Sequence, residues 1–437
     1  MRVAILGYGI EGQSAYNFYA KKHADITIFD QAQQPKSAPP QGAHFVGGQA
    51  SFTGLEGYDV IVRTPAVNPD QLKALGAKVT SATKLFFEHC PQPIIGITGT
   101  KGKGTTASLI HALLHEAHIK SWLVGNIGVA ALDALEEIQT AGEGIVVYEL
   151  SSFQLWDMTI SPHTAVVLMI DQDHLDVHGS IDNYIQAKAN IARWQMADDT
   201  VIHHPRNEQA ITIAKLSKGH HISFGVAPAA RVRDDNIFIE EQKICSVSSL
   251  QLPGEHNLEN ICAAVTACWQ YTQDSTAISK ALADFKGLEH RLETVKTVDK
   301  ITYINDSFSS APAATQVALA AFTQPKILIA GGYDRGGDFA DMAKTIAAAH
   351  TLRQVLLIGQ TRHKLAEQLK SLGFADFTVC DAAKLDDIVL QARSLAHPGD
   401  IILLSPGCPS FDMFDNFYER GNQFKSIVGG LQSREEQ

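Results

Sequence analysis

The sequence predicts an α/β protein made of three successive parallel-sheet domains. Its 437 residues exceed what one hydrophobic core usually holds. Short apolar runs alternate with helix-like or glycine-rich stretches along the whole chain, the rhythm of βαβ units. Several runs, among them IIGIT, GIVVYELS and TAVVLMID, lack polar alternation and end in polar residues. Strands buried on both faces of a parallel sheet look like this, and they present their chemistry at their C-terminal ends.

In chain order, VAILG, ITIFD and DVIVRT are the strands of a first domain, residues 1–90. The segment HCPQP, His89 to Pro93, carries two prolines just before the apolar IIGIT and reads as a linker. A second domain, residues 91–287, continues through GIVVYELS and TAVVLMID and closes with a helix around Asn257 to Gln270. A third, residues 288–437, follows with KITYINDS, KILIAGGY, QVLLIG and DIILLSPG, four strands of a doubly wound sheet. Order is expected to end near Leu431. No fixed-period repeat disturbs the pattern.

Apolar residues make up 45% of the chain and charged residues 19%, so its whole length can fold. The formal net charge of −11, with no basic run, argues against nucleic acid or anionic lipid as a partner. Any phosphate must be bound locally. The N-terminus enters an apolar strand at once and no stretch is long enough to span a bilayer, which predicts a cytoplasmic protein without membrane insertion. Cys90, Cys245, Cys262, Cys268, Cys380 and Cys408 include no Cys-x-x-Cys pair and read as reduced, structural thiols.

Gly7-Tyr-Gly9-Ile-Glu-Gly12 follows a strand and opens a helix, and Asp30 ends the next strand. That is the Rossmann-like dinucleotide fingerprint. Its physics is a tight turn, close backbone approach to a pyrophosphate and a helix N-terminus facing negative charge. From these residues alone NAD, another diphosphonucleotide and a purely structural turn all remain open.

Strand IIGIT, the turn Gly99-Thr100-Lys101-Gly102-Lys103-Gly104-Thr105-Thr106 and the helix-like ASLIHALLHEA form a P-loop-type unit. Small residues let backbone N–H groups face phosphate oxygens, Lys103 reaches the β and γ phosphates, and a hydroxyl faces Mg²⁺. The general pattern is not met strictly. Ile97 stands where its first glycine falls, and Gly104 where Ser or Thr follows the lysine.

The wording GTKGKGTT resembles the Mur ligase and folylpolyglutamate synthetase superfamily. The chain then resembles the Mur ligases nearly end to end, through Gly125-Asn126-Ile-Gly128, Glu149-Leu-Ser151-Ser-Phe-Gln-Leu, Asp171-Gln-Asp-His174-Leu-Asp, Lys188, Gly254-Glu-His-Asn257-Leu-Glu-Asn260, His290-Arg291, Asn305-Asp306-Ser307 and Ser405-Pro-Gly-Cys-Pro-Ser410-Phe-Asp-Met-Phe. ELSSFQL and the SP-x-C-x-SFD-x-F ending are specific to the members that add D-glutamate.

The resemblance implies an ATP-dependent ligase that joins UDP-N-acetylmuramoyl-L-alanine to D-glutamate through an acyl phosphate, acting as a monomer. It implies a Rossmann-like first domain holding the nucleotide sugar, a P-loop-type central domain holding ATP and a Rossmann-like third domain taking the amino acid. Catalytic roles fall to Lys103, His174 and Lys188. Two Mg²⁺ ions are held by Thr105, Glu149, His174 and Lys188, the last carbamylated by CO₂. ATP contacts fall to the Gly99–Thr106 loop, Asn257, Asn260, Arg291 and Asp306. Substrate contacts fall to Gly7, Gly9, Gly12, Asp30, Asn126, Ser151, Arg335, Ser410 and Phe417.

The chain departs from the family where N-D-S-K-A-T-N is usual. It reads Asn305-Asp-Ser-Phe308-Ser-Ser-Ala, and a cation is gone. Arg335 stands near a position often held by lysine and is able to clamp a carboxylate bidentately. Alternatives are a ligase for another acidic amino acid such as L-glutamate, a folylpolyglutamate synthetase relative, a nicotinamide-binding protein built on GYGIEG, and a non-enzymatic homologue. The nicotinamide reading leaves GTKGKGTT and DQDHLD unexplained.

Overall fold

The computed structural model describes residues 1–34, 38–48, 52–252, 254–381 and 384–433. The last four residues of the C-terminal tail lie outside these. The chain divides into two compact units, Met1–Leu250 with His256–Asp284, and Gln251–Glu255 with Phe285–Gln437.

The first unit begins with β1 (Arg2–Leu6), β2 (Asp25–Asp30), β3 (His44–Gly47), β4 (Val60–Arg63) and β5 (Val79–Ser81), an all-parallel sheet ordered β3-β2-β1-β4-β5. Strand β1 lies where the order reverses, so the ends of β1 and β4 open a crevice beyond Leu6 and Arg63. A second parallel sheet holds β6 (Ile94–Thr98), β7 (Ser121–Gly125), β8 (Ile145–Glu149), β9 (Thr164–Val167), β10 (Thr200–His203) and β11 (His220–Ser223), ordered β11-β10-β9-β6-β8-β7. Strand β6 pairs with β8 and β9, Ile97 opposite Glu149 and Thr98 opposite Val167. The loops after β6, β8 and β9 therefore leave the sheet side by side. Strands β12 (Arg231–Arg233), β13 (Asn236–Ile239) and β14 (Gln242–Ser246) form a small antiparallel sheet that the sequence pattern did not announce.

Every residue of β6 and β8 is buried, as an apolar run without alternation demands. The two parallel sheets share one core, in which Val3, Ile5 and Phe86 join Ile94, Leu132, Tyr148 and Leu155.

The second unit holds β15 (Glu293–Val298), β16 (Ile301–Asn305), β17 (Lys326–Gly331), β18 (Leu352–Ile358), β19 (Phe377–Val379) and β20 (Ile401–Leu404), ordered β15-β16-β20-β17-β18-β19. Its four central strands are the four read from the sequence. The edges β15, antiparallel to β16, and β19 are additions. Helices cover both faces over two apolar clusters, one around Ile327, Ile402 and Phe424, the other around Leu328, Leu357 and Leu365.

Candidate active site

The glycine turn after β1 floors a cleft of about 370 Å³ lined by Gly7, Gly9, Glu11, Asp30, Thr64 and Asn126, among others. Gly7 has φ +88°, and a Cβ there would stand 2.3 Å from the Thr64 hydroxyl; one on Gly12 would stand 2.1 Å from the Gly7 carbonyl. Both glycines let strand and helix approach. Gly9 instead faces open space. Asp30 accepts from the Tyr8 N–H at 2.8 Å and the Ala32 N–H at 2.9 Å, which ties the turn to β2. Four of the residues named from sequence for the nucleotide sugar, Gly7, Gly9, Asp30 and Asn126, thus line one cleft. Gly12 lies behind it as a packing residue.

Ser151 stands just after β8. It caps the short helix Ser152–Leu155: its hydroxyl accepts from the Gln154 N–H at 3.2 Å, while the Gln154 Oε1 accepts from the Ser151 N–H at 2.8 Å and O–H at 2.9 Å. The Gln154 Nε2 then donates to Glu11 at 2.6 Å. Beside it the buried Arg63 pairs with Asp157 and donates to the Phe153 carbonyl at 3.0 Å. Sequence reasoning missed Glu11, Arg63 and Gln154: Glu11 meets Gln154 from 143 residues away, and Arg63 meets Asp157 from 94.

The phosphate-loop turn runs from β6 into the helix Lys103–Glu116. Gly102 has φ +83°, and a Cβ there would meet the Asn260 Oδ1 at 2.3 Å. Lys103 folds back over the turn and donates to the carbonyls of Gly99 and Thr100, both at 3.0 Å. Thr105 and Thr106 are buried at the first helical turn. Thr106 donates to Asn260 at 3.4 Å and Asn260 to Asn257 at 3.0 Å, so both asparagines of the helix Glu255–Cys268 back the loop. Thr100 donates to the Asp171 carbonyl, while Lys101 is exposed.

Lys188, on the helix Ile181–Arg193, is 1% exposed. It donates to the Gly99 carbonyl at 2.9 Å and the Thr98 hydroxyl at 3.2 Å. Burial holds its amine well below the ordinary lysine range; the positive charge of Lys103 lowers it further, and Asp173 and Glu149 oppose. Glu149, also buried, ends β8 beside the loop. Loop, two lysines and carboxylate are thus one cluster. His174 is its outlying member. It sits in the left-handed region at φ 52°, half-exposed, 3.4 Å from Asp173 and against the Phe153 ring. His178, not foreseen from sequence, is buried between Phe153 and Trp156 and bonded to Ser152 at 3.0 Å.

Among the described residues no three His, Cys, Asp or Glu side chains gather as a complete metal cage. One buried carboxylate beside a phosphate loop nonetheless fits Mg²⁺, which takes one or two carboxylates and fills the rest with water and phosphate.

In the second unit, Asp306 follows β16 and is 2% exposed. It accepts from the Leu292 N–H at 3.1 Å and from the hydroxyls of Ser405, at 2.7 Å, and Ser309. Burial raises its carboxyl to about 6 against the pull of those bonds and of Arg291. The guanidinium of Arg291 lies 5.4 Å from the Phe308 ring, which stands edge-on to Phe417 at 5.1 Å. That of Arg335 lies 5.8 Å from the Phe411 ring. Ser410 is buried and accepts through its carbonyl from Met413 and Phe414. Arg420, missed from sequence, is buried and binds Ser307 through its hydroxyl at 2.9 Å and its carbonyl at 2.8 Å.

A phosphate loop and a glycine-turn cleft in one unit, with a carboxylate- and arginine-bearing sheet in the other, make an enzyme that activates a carboxylate with a nucleotide triphosphate a natural reading. The Mur ligase middle domain family matches residues 97–268, and the Mur ligase glutamate ligase domain family matches residues 290–408. Among similar chains, the UDP-N-acetylmuramoylalanine–D-glutamate ligase of Acetivibrio thermocellus is 37% identical over 99% of this chain and 97% of the relative. That of Clostridium tetani is 34% identical over 98% and 97%. The chain belongs to the Mur ligase family. Solved structures with a similar fold include the UDP-N-acetylmuramate-alanine ligase MurC of Thermotoga maritima, 17% identical with a TM-score of 0.62 over 99% of this chain and 100% of that one. The MurF ligase of Thermotoga maritima in complex with ADP is 15% identical with a TM-score of 0.59 over 98% and 95%.

Proposed function

We propose that this chain is the ATP-dependent ligase that joins UDP-N-acetylmuramoyl-L-alanine to D-glutamate in peptidoglycan precursor synthesis, in the cytoplasm and as a monomer. Relatives of that name, aligned over nearly its full length, support the reaction. The observation that carries the chemistry is the cluster of Lys103, Lys188 and Glu149 around the Gly99–Gly104 turn.

On this reading residues 1–90 are a Rossmann-like domain whose cleft takes the uridine diphosphate portion through Gly7, Gly9, Asp30 and Asn126, with Gly12 packed behind the turn. Residues 91–287 are the P-loop-type ATPase domain, and residues 288–437 a Rossmann-like domain that takes the amino acid. The substrate carboxylate attacks the γ-phosphorus of ATP, the bond to the β-bridging oxygen breaks and ADP leaves. The amine of the amino acid then attacks the acyl carbon, phosphate leaves and a proton is released.

Lys103 lies where negative charge spreads over the transferred group, and phosphoryl transfer depends chiefly on such positioned charge. Thr100, Lys101 and the first-turn N–H groups at Gly104–Thr106 face the same phosphates. Mg²⁺, when bound, supplies further neutralisation; Thr105, Glu149, His174 and Lys188 would hold two such ions. Lys188 takes part as a carbamate, since only an uncharged amine adds CO₂ and burial holds this amine well below the ordinary lysine range. Asn257, Asn260, Arg291 and Asp306 serve ATP. Ser151 serves the nucleotide-sugar substrate, and Arg335, Ser410 and Phe417 the acceptor. Phe308, in place of a lysine, favours one variant of this reading, in which L-glutamate or another acidic amino acid is taken.

An ADP-release assay with UDP-N-acetylmuramoyl-L-alanine and a panel of D- and L-amino acids tests both parts. D-glutamate should give the highest kcat/KM, and Lys103→Ala should lower kcat on the order of 10²- to 10³-fold. Near-normal turnover by Lys103→Ala would sink the phosphoryl-transfer assignment. Activity confined to neutral or basic amino acids would sink the acceptor.

A further inference from the structure

Glu149 and His174, the two side chains read as ligands of a divalent ion, stand on loops that leave different strands. Glu149 ends β8 and His174 follows β9, and β6 with its phosphate turn lies between those strands. An ion shared by the two loops needs something that fixes one against the other. The His174 loop supplies little of this itself. Asp171 to Val177 lie at the surface, only Asp173 partly covered, and a four-residue helix such as Leu175–His178 has no stability of its own. His174 moreover holds left-handed backbone, φ 52° and ψ 34°, which a residue other than glycine keeps only where its surroundings enforce it.

His178 is the one buried residue of that helix. Its N–H donates to the His174 carbonyl at 3.0 Å, and its own carbonyl accepts from the Asn183 amide at 2.9 Å. The imidazole lies between the rings of Phe153 and Trp156, at 5.2 and 4.2 Å, with Tyr184 edge-on at 5.4 Å. The Phe153 ring also carries the His174 ring, at 4.9 Å. Nε2 shares a hydrogen bond of 3.0 Å with the buried hydroxyl of Ser152, three residues beyond Glu149. Nδ1 is buried without a hydrogen-bond partner among the described residues, a cost that phenylalanine in the same slot would not carry. What the imidazole adds over a plain ring is the bond to Ser152.

We propose that His178 is a positioning residue, whose bond to Ser152 fixes the His174 loop to the end of β8 and so sets the separation of Glu149 and His174 across which a divalent ion is held. It touches neither substrate nor ion, and no bond making passes through it. Its effect is on where the ligands stand before the ion arrives, as with other residues that orient metal ligands from behind.

The inference rests on the reading that Glu149 and His174 hold a divalent ion, and manganese(II), which suits the same oxygen-rich sites as Mg²⁺, separates the two. Manganese is titrated into the full chain carrying one equivalent of ADP, and the free ion is followed by electron paramagnetic resonance; chelation by the nucleotide is common to every sample. His178→Phe keeps a ring between Phe153 and Trp156 and removes the bond, while Ser152→Ala removes the same bond from its other end. Each should weaken manganese binding on the order of tenfold. The double variant should bind no more weakly than the weaker single one, since one bond is lost once. ADP affinity without metal, read by calorimetry, should stay unchanged throughout. Native manganese affinity in both single variants, with Glu149→Gln and His174→Ala each weaker, would overturn the proposal and leave the ion-site reading intact. Weakening in His178→Phe but not in Ser152→Ala, additive losses in the double variant, or a parallel loss of ADP would also overturn it, because each means packing and not the bond. Should His178→Phe fail to fold, Ser152→Ala, which deletes a single oxygen, decides alone. Manganese bound equally well by the native chain, Glu149→Gln and His174→Ala would overturn the ion-site reading and the proposal together.

Discussion

At the scale of single residues, the motifs exposed the groups that meet ligands but not the groups that hold them. Lys103, Glu149 and Asp306 were readable because each ends an apolar run or sits in a glycine turn. Arg63 ends the run DVIVRT and looks like any strand-terminal charge; nothing in sequence links it to Asp157. Arg420, in an ordinary helical stretch, likewise gives no hint that it is buried against Ser307. Burial also writes itself into pH dependence. Asp306 ionises near its ordinary value of 3.8 in the unfolded chain and at about 6 when folded, so the folded form keeps a proton the unfolded form has lost. Its contribution therefore declines as pH rises from about 4 to about 6 and stays low above, by up to about 3 kcal/mol. Asp306→Asn keeps the shape, and its amide can donate to the serine hydroxyls. The variant should be more stable than the native chain to urea at pH 7, the difference vanishing near pH 4. Parallel urea midpoints across that range would remove the burial account.

At the scale of elements, runs buried on both faces were legible because period and partner do not matter for them. Strands β6, β8, β16, β17, β18 and β20 all came from such runs. Strands β12, β13 and β14 are three to five residues long, too short for any periodicity to mark them. Strand β15, whose first five of six residues are only partly buried or exposed, reads as a polar connector. The phosphate turn was legible by its glycines, but not that Asn257 and Asn260 lie behind it. That packing sets a prediction. Gly102→Ala adds a Cβ 2.3 Å from the Asn260 Oδ1 at a φ of +83°, whereas Gly42→Ala has a similar φ of +85° and nothing within 4 Å. The left-handed penalty of roughly 1–2 kcal/mol is common to both. Only Gly102→Ala must also displace the loop, so ADP affinity should fall at least about tenfold there and stay unchanged in Gly42→Ala. Equal ADP affinities would show that the close approach is relieved without moving the loop.

At the scale of the whole molecule, the division into two compact units was not written in the sequence, whose rhythm marks sheets and not which sheets share a core. The first two sheets share one because side chains of the helix Ala82–His89, Phe86 above all, pack with Tyr148 of the second sheet. The second unit has cores of its own. Units with separate cores can have separate stabilities, and the four tryptophans, Trp122, Trp156, Trp194 and Trp269, all fall in the first unit. Tryptophan fluorescence therefore follows that unit alone, while far-ultraviolet circular dichroism follows both. The cleft of Gly7, Gly9 and Asp30 also lies wholly in the first unit. A ligand seated there at about 100 times its Kd adds about 2.7 kcal/mol to the state that binds it. UDP-N-acetylmuramoyl-L-alanine should raise the midpoint of the tryptophan-monitored melt, and the dichroism melt should resolve into a shifted and an unshifted step. A single dichroism transition moving in step with the fluorescence would mean that the two units unfold as one, and that the stability of the second is set by the first.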